Sequence, residues 1–229
     1  MLGIVLSQRD YRENDEIITF FTDKKGKKEL LTKGSKKITS KNSYLLEPAV
    51  LVDFQYVSGK AWDRVTNVDE VEYFSKLRTN LKKGLIADYS VKLVDRLTES
   101  EQSDENIFHL LLTWLYFLKK NVFKPVYIDA FVMQLLAEIG FKPTIRDKEE
   151  IDGFSIKEGR FSSRDSNSDQ YFLSADKEDA ERMKQIIKFD FTKPKDLDYN
   201  LKLHKLIFSF GDYHLENELS DWRDVIVRD

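Results

Sequence analysis

The sequence predicts an α+β protein in which a small β-barrel, residues 1–78, precedes an α-helical region, residues 79–229. Three observations carry that division. Short runs rich in β-branched and aromatic residues recur at near-regular spacing through the first third, separated by turns. Beyond residue 78 the apolar residues recur every three or four positions, the period of an amphipathic helix. Turn and capping residues fall where one pattern gives way to the next.

Taken in order, Gly3–Leu6 is a short apolar strand. Glu16–Phe21 is a second strand, Asp23–Gly26 a turn, and Glu29–Thr32 the returning strand, a hairpin with a basic tip. Ala49–Val57 is the strongest strand pattern; Ser58–Lys60 turns it into a further strand over Trp62–Val68. Several short strands in under 80 residues fit a small barrel. Leu81, Leu85, Tyr89, Leu93 and Leu97 then mark one face of a helix. Ile107–Leu118 is apolar at ten of twelve positions and predicts a helix buried on most sides. Tyr127, Ile128, Phe131, Val132, Leu135, Leu136 and Ile139 mark a third, with Gly140 placed to cap it and Pro143 beyond. Residues 141–175 are loop-like, with short hairpin signals at Phe154–Phe161 and Tyr171–Leu173. Helices follow over Lys177–Ile187 and over Leu203, Leu206, Ile207, Phe210, Tyr213 and His214.

The chain is 41% hydrophobic and 34% charged, enough apolar content for a packed core. It has no cysteine, which excludes disulfides, thiolate metal sites and a cysteine nucleophile. The opening lacks a secretory pattern and the longest apolar stretch is too short to span a bilayer, so the expectation is a soluble cytoplasmic protein with no membrane partner. No GxxxxGK[ST] or GxGxxG run is present. The three histidines are scattered: His109 lies in an apolar helix and reads as a core residue, and His204 and His214 miss the i, i+4 spacing of a helical metal pair. No nucleophile–base arrangement stands out, so the expectation is a protein without catalytic residues, metal or cofactor.

A net charge of −3 argues against a generic nucleic-acid binder. Its distribution argues the other way. Residues 24–41 hold Lys24, Lys25, Lys27, Lys28, Lys33, Lys36, Lys37 and Lys41 against one acid, Glu29. Arg9, Arg12, Lys60 and Arg64 lie on neighbouring segments of the same barrel. Two readings are open: a phosphate-tracking surface, or a solvated lysine-rich loop. Tyr11, Phe54, Tyr56 and Trp62 similarly read either as base-stacking faces or as packing, since Phe54 and Tyr56 share a strand face with Val52.

The order of short motifs resembles the RecO family of bacterial DNA repair proteins. Arg9-Asp10-Tyr11, Glu13 and Asp15 are followed by Thr22 and Gly26, Lys33-Gly34, Lys36-Lys37, Ser40-Lys41 and Leu46-Glu47-Pro48. Ile139-Gly140-Phe141-Lys142-Pro143 is similar to the family's L-G-[YF]-x-P. Phe210–Leu219 resembles its closing Y-H-L-x-x-x-L helix. Arg12 departs from the usual glycine. Thr144–Asp169 stands where many members carry a four-cysteine zinc module. The resemblance implies a five-stranded OB-fold barrel, then a helical domain with a degenerate, cysteine-free zinc-finger-like segment at 144–175. It also implies a non-catalytic, nucleoid-associated mediator that binds single- and double-stranded DNA and anneals complementary strands. With RecR, such a mediator helps replace single-stranded DNA-binding protein by RecA. It favours the DNA reading of Arg9, Lys24–Lys41, Lys60 and Arg64. The tail of single-stranded DNA-binding protein would take an apolar groove edged by basic groups in the helical region. Lys119, Lys120 and Lys124 beside Phe117, Leu118 and Phe123 are candidates, although lysines at a helix end also simply favour its dipole. The alternative function is an OB-fold protein-interaction scaffold without direct DNA binding.

Overall fold

The computed structural model describes residues 1–36, 43–100, 102, 104–145, 150–163, 171–216 and 219–226. Lys37 and Lys41 lie outside the described residues. Contacts divide the chain into two compact units, Met1–Asn121 and Val122–Asp229.

In the first unit, β1 (Leu2–Asp10), β2 (Glu16–Thr22), β3 (Gly26–Thr32), β4 (Leu51–Val57) and β5 (Arg64–Glu72) close a barrel in the order β1-β2-β3-β5-β4. All pairings are antiparallel except β3 with β5, which meet in parallel at Leu31 and Arg64. This is the order of the OB-fold. Strand alternation turns Val5, Ile18, Phe20, Leu30, Val52, Phe54 and Val68 into one core. Phe20 and Phe54 stack at 4.4 Å, and burying each ring is worth about 1.5–3 kcal/mol. Gly3 is needed beside them, because a Cβ there would stand 2.7 Å from Phe54 Cε1.

Strand boundaries differ from expectation: β1 runs on past Leu6 to Asp10, β4 begins at Leu51 rather than Ala49, and β5 ends at Glu72 rather than Val68. The returning strand of the hairpin begins at Gly26, whose φ of 62° completes the turn, so Lys27 and Lys28 are strand residues opposite Phe21 and Phe20. The last barrel strand begins at Arg64, leaving Trp62 in the preceding loop.

A 3-10 turn (Ser43–Leu46) and three α-helices complete the described part of this unit: α1 (Ser75–Arg78), α2 (Leu81–Leu97) and α3 (Glu105–Lys120). The Asn80 side chain accepts from Lys83 N–H and that of Asp104 from Asn106 and Ile107 N–H, satisfying otherwise orphaned donors. The expected stripe along α2 is only partly buried: Leu81 is 62% exposed, and Ile86, Tyr89, Ser90, Leu93 and Val94 carry the inner face. Positions four apart advance about 400°, so such a stripe drifts about 40° per step. On α3, Trp114 Nε1 donates to Ser90 Oγ at 2.8 Å. His109, expected in the core, is exposed. The buried face of α3 runs through Ile107, Phe108, Leu111, Trp114, Leu115 and Leu118, and His109 falls outside it.

The second unit holds α4 (Pro125–Glu138), a three-stranded sheet, α5 (Lys177–Ile187), α6 (Leu201–His214) and α7 (Arg223–Ile226). Pro125 occupies the first turn of α4, where no N–H is missed. Gly140, at φ 101°, ends it: Phe141 N–H donates to Leu136 O and Gly140 N–H to Ala137 O, a Schellman motif. A capping box between Asp176 and Asp179 starts α5. The sheet pairs β6 (Gly153–Ser155) with β7 (Arg160–Ser162) and β8 (Phe172–Ser174). Phe154 lies 4.8 Å from Phe161 and 5.7 Å from Phe210, so an apolar cluster supports the cysteine-free segment. Among the described residues no group of three His, Asp or Glu is arranged to hold a metal ion.

The closing helix stops at His214, short of the expected Leu219. Glu216 adopts φ 51°, and Leu219 returns against Gly211, where a Cβ would stand 2.2 Å from Leu219 Cδ2. That return also seats Trp222 and Asp221. His204, fully buried, holds Asp129 Oδ1 at 2.8 Å on Nδ1 and Asp221 Oδ2 at 3.2 Å on Nε2. Trp222 Nε1 donates to the same Asp129 oxygen at 2.8 Å. Burial pushes the Asp129 carboxyl above its ordinary value despite these donors.

Candidate nucleic-acid interface

The basic residues of the first unit gather where the β2–β3 hairpin runs beside the β4–β5 loop, residues 58–63. Lys25 Nζ donates to Tyr56 Oη at 2.9 Å and lies 5.5 Å from that ring's centre. Lys28 Nζ lies 5.2 Å from the same ring and 3.6 Å from Asp63. Leu31 N–H donates to Asp63 O, continuing the contact of strand and loop. At the far end of that loop, Trp62 meets Tyr11 of the β1–β2 loop edge-on at 6.1 Å. The Arg9 guanidinium lies 5.5 Å from the Trp62 ring, and that of Arg12 lies 5.2 Å from Tyr11.

Apart from Lys25 and Lys28 on the Tyr56 ring, the predicted cations that the structure describes fall into three groups. Lys24, Lys33, Lys60 and Arg64 are exposed, with no ion-pair partner among the described residues. Arg9 and Lys36 are paired at the surface, with Glu29 at 3.1 Å and Asp10 at 2.8 Å; such exposed pairs are worth at most about 1 kcal/mol and exchange readily for a phosphate. Lys27 is different. Its ammonium donates to the Asp95 carbonyl at 2.6 Å, lies 3.4 Å from the Asp95 carboxylate, and its side chain is only 14% exposed. It ties the hairpin to α2, a role invisible in sequence because Asp95 lies 68 residues away. Of the aromatic candidates, Phe54 is 1% exposed and belongs to the core, whereas Tyr11, Tyr56 and Trp62 are half-buried. The sequence shows no sign that Tyr11 and Trp62 meet, since they sit on loops about fifty residues apart.

The residues proposed for partner binding divide between the two units. Phe117 and Leu118 are buried in the first, 2% and 0% exposed, and cannot line an open groove. Lys119 pairs with Glu72. Partial burial pushes Glu72 up, but the Lys119 ammonium and the Phe74 N–H outweigh it and hold the carboxyl below its ordinary value. Lys120 is exposed, 5.8 Å from the Tyr116 ring centre. In the second unit Phe123 stands edge-on to Trp222, and Lys124 pairs with Asp196.

Comparison with known proteins agrees with this architecture. Residues 1–74 match the family model for the recombination protein O N-terminal domain, and residues 78–223 match that for its C-terminal domain. The chain is 30% identical over 164 residues to DNA repair protein RecO of Alkaliphilus metalliredigens, covering 71% of this chain and 67% of that one. It is 24% identical over 230 residues to DNA repair protein RecO of Desulforamulus reducens, covering 95% and 90%. With its closed five-stranded barrel, helical remainder and two matched domains in order, the chain belongs to the RecO family of DNA repair and recombination proteins.

Proposed function

We propose that the chain binds single- and double-stranded DNA through the basic face of its barrel and serves as a recombination mediator. In that role it anneals complementary strands and, with RecR, helps replace single-stranded DNA-binding protein by RecA. One observation carries the reading: Lys24, Lys33, Lys60 and Arg64 are exposed cations without partners among the described residues, beside surface pairs that a phosphate can open. Such groups position a backbone without reading bases. Binding should therefore be similar across sequences and fall steeply with salt. Fluorescence anisotropy of a labelled oligonucleotide at rising salt tests this; no binding at low salt, or binding indifferent to salt, overturns it.

The scaffold alternative requires a contiguous apolar patch on the barrel. Its exposed large apolar strand residues are separated: Val57 pairs with Arg64 and Val71 lies seven residues further along β5. For the acidic tail of single-stranded DNA-binding protein, Lys120 is the exposed cation of the candidate set, because Lys119 and Lys124 already have carboxylate partners. Lys120→Ala should weaken binding of an acidic, Phe-terminated peptide; unchanged binding removes this residue from the site.

A further inference from the structure

The lysines account for phosphate contacts but leave unexplained the ring pair at the end of the β4–β5 loop. Tyr11 and Trp62 come from different loops and meet at 6.1 Å with 70° between their planes, so neither ring stacks on the other. Each has a guanidinium within cation–π distance, Arg9 at 5.5 Å from Trp62 and Arg12 at 5.2 Å from Tyr11. Both rings are only half-buried, whereas the other two tryptophans, Trp114 and Trp222, are 0% and 4% exposed. The loop is built tightly around Trp62: a Cβ at Gly59 would stand 2.1 Å from the Trp62 carbonyl oxygen.

We infer that Tyr11 and Trp62, with Arg9 and Arg12, form a clasp for an unpaired nucleotide, the rings stacking on its base and the guanidinium groups taking its flanking phosphates. This rests on the DNA-binding reading of the barrel and adds a preference within it. A base in a duplex is stacked on both faces and offers none to a ring; a base in a single strand offers both. Arginine suits the second task, since it can leave an aromatic face and take a phosphate through two parallel N–H groups. The lysines would then bind any backbone, and the clasp would favour single strands.

The test uses the whole chain and three probes with equal numbers of phosphates: an oligothymidylate, an abasic oligomer and a hairpin duplex. Loss of one stacked base corresponds to roughly a 5- to 150-fold change in affinity. The oligothymidylate should bind more tightly than the abasic oligomer by a factor in that range and should quench tryptophan emission, which the abasic oligomer should not. Trp62→Leu should remove both differences while leaving the salt slope intact, and Trp62→Phe should restore the affinity difference. If Trp62→Leu does not fold, the emission and affinity comparison on the unaltered chain still decides the matter. Equal affinity for the abasic oligomer and oligothymidylate, with salt-dependent binding of both, overturns the clasp and leaves the phosphate surface standing. Failure of all three probes to bind overturns both.

Discussion

Replacing Lys33, Lys60 and Arg64 together by alanine removes three exposed cations without ion-pair partners among the described residues, so no ion pair among those residues is lost with them. Each phosphate neutralised on a single strand contributes about −0.7 to the slope of log K against log salt, so losing three contacts should flatten the slope by about 2. If the same relation holds up to about 1 M salt, affinity should fall a few hundred-fold at about 50 mM salt and about thirty-fold at about 200 mM. Lys27→Ala is the control. Its ammonium is held by Asp95 and is 14% exposed, so it should leave the slope unchanged. It should instead destabilise the first unit by about 1.5–3 kcal/mol, the range for a hydrogen bond to a charged group. Anisotropy titrations with one labelled oligonucleotide at four salt concentrations, beside urea unfolding, separate the two outcomes. An unchanged slope in the triple variant, or an equal loss of affinity in Lys27→Ala, would mean that these exposed cations do not meet phosphates.

Lys119→Met should cost about 1.5–3 kcal/mol near neutral pH by breaking its pair with Glu72. Because Glu72 is held below its ordinary value in the folded chain, that stability is present above the unfolded pKa and lost as pH falls through the folded one. The gap between parent and variant in urea midpoints should therefore close on acidification; a constant gap rejects the ion pair as its source. Asp129→Ala strands the Trp222 and His204 ring nitrogens and should destabilise the second unit by about 3–5 kcal/mol. Asp129→Asn keeps an acceptor oxygen and should cost less, which urea unfolding curves of the two variants would show. Gly59→Ala should displace Trp62 and reduce oligonucleotide affinity with no shift in the unfolding midpoint of the second unit. Wild-type affinity in that variant would mean the loop's shape is irrelevant to binding.

The elements with strong local signals were readable from residues alone. Lys177–Ile187 has a cap, a first-turn acid and a clear period, and it folds over those bounds. Gly140 ends its helix as the pattern requires. What failed depended on chain brought from afar. His109 looks apolar by its neighbours, but only the packing of α3 decides which side faces water. His204 looks isolated until Leu219 turns back on Gly211 and seats Asp221 beside it. Charge was legible as a density in residues 24–41 but not as a function. Lys24 and Lys27 are three residues apart in one run, yet one faces solvent and the other is tied to Asp95. The five strands were legible as local patterns; the family resemblance supplied their closure into an OB-fold, which periodicity could not.

The most direct test of the DNA-binding face is amide hydrogen exchange of the whole chain with and without a saturating oligonucleotide. Protection should appear in residues 8–36 and 57–65, which carry Arg9, Tyr11, Arg12, Lys24, Lys33, Lys60, Trp62 and Arg64. Protection confined to Val122–Asp229, with these segments exchanging as in the free chain, would contradict the account.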